Sequence, residues 1–249
     1  MHPIYPLATA LGVLLLVSPG GAEEPDSVAL GFGEISCLVE PGRQATLSTQ
    51  IPGVIAELLV RAGDDVEAGQ ELFRQAQDVE RASMSLEGAR AEYAGRRLQR
   101  NQRLIEQGML SDSERDELDT ELRLARMQVN LANAQLGQRS TTAPFSGLVT
   151  RLYAEEGEYI DATPVLDLVQ LDPLRIEAVL PLTAYGRLAV GDTLGVRLHA
   201  PAERDVGADV ERIDGVIDVS SGTFGVGLVL DNPEDDIPAG INCSLYWHG

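Results

Sequence analysis

Two stretches of the chain alternate apolar and polar positions in the same order. Residues 52–74 read PGVIAELLVRAGDDVEAGQELFR, and residues 146–168 read SGLVTRLYAEEGEYIDATPVLDL, aligned without a gap. The alignment pairs Gly53 with Gly147, Leu58 with Leu152, Gly63 with Gly157, Ala68 with Ala162 and Leu72 with Leu166. Conservative pairs fill the spaces: Ile55 with Val149, Asp64 with Glu158 and Val66 with Ile160. Each copy predicts a strand, a Gly-acid turn and a short strand, because period-two alternation bounded by turn residues is the strand signature. Sheet pieces this small bury no core alone, so the copies are expected to pack on each other.

Between the copies, over roughly 75–140, the period changes to that of a helix. In the second half Leu118, Leu122, Ala125, Val129, Ala132 and Leu136 recur at alternating steps of four and three, a heptad seam. In the first half Val79, Ala82, Leu86, Ala89 and Tyr93 follow the same rule. Gly108 separates the two runs, and Ser111 with Glu114 three residues on has capping-box spacing. The pattern predicts an antiparallel helical hairpin projecting roughly 40–45 Å from the sheet module. Toward the tip, the first seam continues onto Arg96, Arg100 and Arg103. A slip of register onto Ala94, Leu98 and Ile105 would instead leave those arginines on a solvated face, and the pattern alone does not choose.

Beyond the second copy, Leu174–Val179, Thr193–Leu198 and Val226–Leu230 alternate as walls of a β-barrel, and Pro181–Leu188 reads as a short capping helix. At the N-terminus an apolar run from Leu7 to Val17 is too short to span a bilayer, which needs roughly 20 residues. Gly20 and Ala22 fit a signal-peptidase site, predicting a signal peptide over 1–22 and a soluble secreted product. The alternative is an uncleaved anchor at the membrane surface.

Charge narrows the function. The 249 residues hold 39 acids and 19 bases, a net charge of −20, which argues against general nucleic-acid binding. Every base is arginine. Without lysine there is no Walker A loop, Schiff-base chemistry or covalent biotin or lipoate. Residues 74–140 balance acids against arginines, so the rest of the chain carries the whole negative charge. Between Glu92 and Glu106 lie four arginines and no acid. Cys37 and Cys243 are the only cysteines, a disulfide candidate in an oxidising compartment or else two separate buried thiols. Three histidines without paired ligands predict no metal site, and His199 reads as structural. Ser220, Ser221, Asp214 and Asp218 form no triad pattern, and Gly31 and Gly33 no dinucleotide fingerprint, so neither an enzyme nor a cofactor is expected.

The two half-repeats split by a helical hairpin, with Ala143-Pro-Phe-Ser-Gly-Leu-Val opening the second, resemble the periplasmic adaptor subunits of tripartite efflux pumps, the membrane fusion proteins of the HlyD family, RND-type adaptors above all. Thr223-Phe-Gly-Val, Asn232-Pro and Ile237-Pro-Ala-Gly are similar to the family's β-barrel. The resemblance implies a mainly β fold with an inserted α-helical coiled-coil hairpin, a split lipoyl-like (biotinyl-lipoyl) domain and a β-barrel domain. Its divisions are a signal peptide at 1–22, a leading strand at 23–45, lipoyl-like half 1 at 46–74, the hairpin at 75–140, half 2 at 141–171 and the barrel at 172–249. The family's channel-docking motif falls on Arg100, Leu104, Ser111 and Asp116. Arg100 would bond carbonyls or carboxylates of a channel, Leu104 would anchor, and Ser111 would shape the turn while donating a hydrogen bond. The hairpin replaces the turn that bears lysine in lipoyl carriers, which makes the sheet module structural. Implied partners are an inner-membrane efflux transporter, a TolC-like outer-membrane channel and further copies in a trimeric or hexameric ring, with a periplasmic location. Two features depart from the family pattern: little chain follows the barrel, and no cysteine stands ready for a lipid anchor. A chaperone-like coiled-coil scaffold is the alternative, with Met109 and Leu110 as client-gripping residues.

Overall fold

The computed structural model describes residues 35–246. The expected signal peptide, with Gly20 and Ala22, lies outside the described residues, as do His2 and His248. The strands are β1 (Ile35–Glu40), β2 (Arg43–Ser48), β3 (Gly53–Leu58), β4 (Asp65–Val66) and β5 (Glu71–Gln75), followed by helices α1 (Asp78–Glu106) and α2 (Asp112–Gly137). Then come β6 (Ser140–Thr142), β7 (Gly147–Leu152), β8 (Tyr159–Ile160), β9 (Pro164–Gln170), β10 (Leu174–Pro181), β11 (Thr193–Leu198), β12 (Arg204–Ile213), β13 (Thr223–Leu230) and β14 (Asn242–Tyr246).

The sequence repeat is a structural repeat: β3, β4 and β5 correspond to β7, β8 and β9. The copies exchange their short strands, since β3 pairs with β8 and β4 with β7. Two four-stranded sheets result, in the orders β2-β9-β7-β4 and β6-β5-β3-β8. Equivalent residues fill one core, with Ile55 and Val149, Val66 and Ile160, and Leu72 and Leu166 all buried. Neither half could bury these residues alone, because a two-stranded ribbon leaves both faces wet.

The second core lies in a closed barrel of order β1-β10-β13-β12-β11-β14. Alternation puts Leu174, Ile176, Ala178 and Leu180 of β10 inside, opposite Val226 and Leu228 of β13. The chain enters through this barrel: β1 joins β10 to β14, and Pro41-Gly42 passes it to β2 of the sheet pair. The expected leading strand is therefore two strands in two modules. A Cβ at Gly42 would stand 2.0 Å from the Pro173 carbonyl oxygen, so only glycine fits that crossing. The helix expected over Pro181–Leu188 is not formed; β10 runs to Pro181 and only Leu182–Ala184 makes a 3-10 turn. Ala184 and Leu188 nevertheless close one end of the barrel core.

The two helices have 29 and 26 residues and pack antiparallel, with Arg97 bonded to Glu121 and Arg139 to Glu80. On α2 the expected seam is the one used, Leu118, Ala125 and Ala132 being buried. On α1 it is not. Val79, Leu86 and Tyr93 are exposed, and the packed line runs through Met84, Glu87, Ala91, Ala94, Leu98 and Ile105. The helix offers two lines of heptad spacing, and small residues decide between them. Ala91, Ala94 and Gly95 let α2 approach closely, placing Gly95 against Leu122. Arg96, Arg100 and Arg103 consequently lie on the solvent side.

Candidate functional site

The end of the helical pair is built by two interlocking caps. Helix α1 stops at Gly108, whose φ of 66° is left-handed. Gly108 donates its N–H to the Ile105 carbonyl at 3.1 Å, and Met109 donates to Leu104 at 2.8 Å, the two bonds of a Schellman cap. Helix α2 starts at Ser111. The Glu114 N–H donates to Ser111 Oγ at 3.3 Å, and the Ser111 N–H donates to Glu114 Oε2 at 2.9 Å, completing a capping box. The Ser111 backbone N–H, followed by its hydroxyl, holds the Glu114 carboxyl below its ordinary range. Together these bonds keep the turn short and defined.

Arg100 and Leu104 stand one helical turn apart on α1, both exposed, and Leu104 presents its side chain one turn before the cap. Arg100 has no ion pair among the described residues, so its guanidinium donors face solvent. Ser111 is exposed at the turn, but its hydroxyl donates to Glu114 at 2.7 Å; its work is capping, not donation outward. Asp116 precedes the buried Leu118 by two residues, which turns it to the side away from Leu104. The geometry thus brings Arg100, Leu104 and the Ser111 turn together and sets Asp116 apart. At the extreme tip Met109 is exposed and Leu110 half-buried.

The base of the pair is a feature that sequence reasoning missed. Arg139 donates through Nε to Glu80 at 2.9 Å and through a terminal nitrogen to the Pro52 carbonyl at 3.0 Å. One side chain therefore ties the end of α2 to the start of α1 and to the strand entering the first half-repeat. The available signal was an arginine just past the second seam and a glutamate near the start of the first. Buried Gln75 adds a second tie, donating to the Ile51 carbonyl at 2.9 Å.

Cys37 and Cys243 face each other directly across β1 and β14, with Cα atoms 4.8 Å apart and sulfurs joined. His199 Nε2 is hydrogen-bonded to Ser244 Oγ at 2.8 Å, a structural pairing. Among the described residues no three His, Cys, Asp or Glu side chains are grouped to hold a metal, and no helix is long and apolar enough to cross a membrane.

These features match known proteins. The family profile described as "RND MFP, barrel-sandwich hybrid domain" covers residues 43–171, the sheet pair with its helical insertion. Nodulation protein NolF of Rhizobium meliloti strain 1021 is 26 % identical over 94 % of this chain and 73 % of its own. Multidrug resistance protein MexA of Pseudomonas aeruginosa strain PAO1 is 22 % identical over 80 % of this chain, which spans 56 % of it. Among solved structures, a MacA–MexA chimera carrying the P. aeruginosa MexA α-hairpin superposes with a TM-score of 0.73 at 16 % identity, covering 86 % of this chain and 80 % of that one. The fold, the split repeat and the profile agree: the chain belongs to the RND membrane fusion proteins, non-enzymatic adaptors of efflux systems.

Proposed function

We propose that the chain is a periplasmic adaptor that joins an inner-membrane transporter to a TolC-like outer-membrane channel for efflux of small molecules. In this reading the sheet pair is a split lipoyl-like domain serving as a ring element, and the helical pair is a coiled-coil hairpin whose tip meets the channel. Copies assemble into a trimeric or hexameric ring. The observation that supports it best is the tip itself: an unpaired Arg100 and an exposed Leu104 beside a turn locked at both ends. Preformed donors and an apolar anchor on a rigid turn bind a partner with little ordering cost. Arg100 supplies up to five N–H donors to carbonyls or carboxylates, and Leu104 enters an apolar recess. The network that would set Ser111 aside for a partner is already spent on Glu114, so its contribution is to hold the turn.

The test places a photo-crosslinking residue at Leu104 in native-host cells, with exposed Val190 of the barrel as control. An adduct to an outer-membrane channel from position 104 alone is expected. Adducts to many soluble periplasmic proteins and no channel would favour the client-gripping scaffold, with Met109 as its contact.

A further inference from the structure

Both ends of the helical pair grow from neighbouring strands of one sheet. Ala76-Gln77 leads from β5 into α1, and Gln138-Arg139 leads from α2 into β6. Strands β5 and β6 are paired antiparallel at one side of the order β6-β5-β3-β8. The sheet β2-β9-β7-β4 sends no strand into either helix. Two connectors of two residues each, lying side by side, form a hinge line, and backbone torsions along it are soft. Something outside the connectors must fix the angle at which the pair leaves the sheet. Without it, the length of the helices magnifies every small rotation. From Asp78 to Leu104 the rise is about 39 Å, so a swing of about 10° at the base carries Leu104 about 7 Å. Apolar contact is lost beyond about 4.5 Å.

Arg139 supplies the fixing contact. Its Nε and one terminal nitrogen bond Glu80 Oε1 at 2.9 and 2.8 Å, and the other terminal nitrogen donates to the Pro52 carbonyl at 3.0 Å. The carbonyl of Arg139 accepts from the Gln75 N–H at 2.8 Å. One residue thus joins both helices to β5 and to the segment entering β3. Its ion pair is the least exposed among the described residues, with side chains 20 % and 16 % accessible, so solvent screens it less than the pairs higher on the helices. The repeat offers a comparison. Gly53 and Gly147 are equivalent positions, yet a Cβ at Gly147 would meet main chain, the Val169 carbonyl oxygen at 2.1 Å. A Cβ at Gly53 would instead meet Arg139 Nη1 at 2.6 Å and Gln75 Nε2 at 2.8 Å. Gly53 has no left-handed φ to require glycine. Its missing side chain is room for Arg139 and Gln75, on the sheet that carries the helical pair.

We infer that Arg139 is the positioning residue of the tip: lodged in the space over Gly53, it fixes the direction in which the helical pair leaves the sheet module, and thereby where Arg100 and Leu104 are presented. Only the consequence for channel docking rests on the function proposed above; the fixed direction stands on the geometry of the base. A planar guanidinium suits the task because its donors diverge in a rigid fork, reaching the Glu80 carboxylate and the Pro52 carbonyl at once. A lysine there reaches one acceptor at a time. Gln75 donates to the Ile51 carbonyl at 2.9 Å and so ties β5 to the same segment, holding the Pro52 carbonyl where Arg139 needs it.

The experiment uses the full chain with its disulfide intact and spin labels at Gln99→Cys on α1 and Thr163→Cys on the sheet pair, both exposed sites. Pulsed electron–electron resonance reads the distribution of distances between them. One narrow distribution is expected, widening about twofold in Arg139→Gln as the helix magnifies the slack, and by an intermediate amount in Arg139→Lys. Gly53→Ala separates positioning from stability, since the atoms it displaces are ends of flexible side chains. It should widen the distribution as Arg139→Gln does while thermal unfolding hardly moves. In native-host cells both variants should cut the channel adduct from Leu104 several-fold at equal protein level. Unchanged widths in Arg139→Gln and Gly53→Ala would overturn the inference; so would widening only in step with lost thermal stability, or widening with the adduct undiminished. A wild type that captures no channel at Leu104 fails the docking reading instead, and the distances alone then decide the inference.

Discussion

The backbone N–H of Gly63 donates to the carbonyl of Val149 at 2.7 Å, across the boundary between the two half-repeats. Gly157 returns the same bond to Ile55 at 2.8 Å. A second reciprocal pair runs beside them, Ile55 to Glu158 and Val149 to Asp64, both at 2.9 Å. The turns themselves match: Asp64 accepts the Arg61 N–H at 2.8 Å and Glu158 the Glu155 N–H at 3.0 Å. Each copy thus completes the other's sheet through a left-handed glycine, an approximate two-fold relation written into backbone bonds.

That symmetry makes a quantitative expectation. Gly63 and Gly157 have φ of 95° and 88° with open space where a Cβ would go, so alanine costs only backbone strain. Each substitution should lose about 1–2 kcal/mol, and the two losses should be similar. Gly147 differs, since its Cβ would stand 2.1 Å from the Val169 carbonyl oxygen. Urea unfolding should rank Gly147→Ala well below both; equal losses at all three positions would count against the packing described.

The disulfide closes a loop of 206 residues between the first and last described strands of the barrel. In the chain-entropy model, removing it costs at most about 5.4 kcal/mol. Cys37→Ser with Cys243→Ser should therefore lower the melting temperature markedly, and reductant should do the same to the wild type. Alkylation of the unfolded, unreduced protein should label no thiol; two labelled thiols would refute the bridge.

Asn232 is a buried amide with every bond in use. Its N–H donates to Asp172 Oδ1 at 2.8 Å, its Nδ2 donates to the carbonyls of Leu171 and Ile237 at 3.0 Å each, and its Oδ1 accepts from Ile237 at 3.1 Å. The residue fastens the loop before β14 to the junction between the modules. Asn232→Ala would strand buried partners and should cost about 3 kcal/mol by denaturant unfolding. A loss under about 1 kcal/mol would mean that water replaces the amide there.

Glu71 is held below its ordinary carboxylate pKa, first by its hydrogen bonds from Arg74, against an opposing effect of burial. A folded-state pKa depressed below the unfolded value contributes stability that is complete above the unfolded pKa and is lost as pH falls through the folded one. The contribution is therefore present at neutral pH and fades below about 4.5. Glu71→Gln should destabilise the protein more at pH 7 than in acid, where the folded-state carboxyl protonates. An equal effect at both would assign the loss to packing rather than charge.

Much of the architecture was legible along the chain because it repeats or alternates. The half-repeats, the α2 seam, the capping box at Ser111 and Glu114, and the strands at Leu174, Thr193 and Val226 are local patterns. Strand β12 was not, because the alternating Val206, Ala208 and Val210 are interleaved with Gly207 and Asp209, poor strand formers, and flanked by an arginine-acid run that reads as loop. Of the candidate site, Arg100 lay on the continued heptad and Ser111 on the capping-box spacing, Leu104 and Asp116 came only with the resemblance, and Arg139 was not readable, because its partners are Glu80 and Pro52, far away in sequence.

The amino-acid order by itself determined the half-repeats, the two helices with the capping box at Ser111, and most barrel strands, since propensity, periodicity and turn chemistry act within a few residues. Tertiary structure decided which of two heptad lines on α1 faces α2, because only the partner helix distinguishes close approach at Ala91, Ala94 and Gly95 from bulk at Leu86 and Tyr93. It likewise decided that β4 and β8 cross to the opposite copy, and that β1 closes a barrel whose other strands begin over 130 residues later. Those choices depend on burying surface shared between distant segments, a quantity that no local window contains.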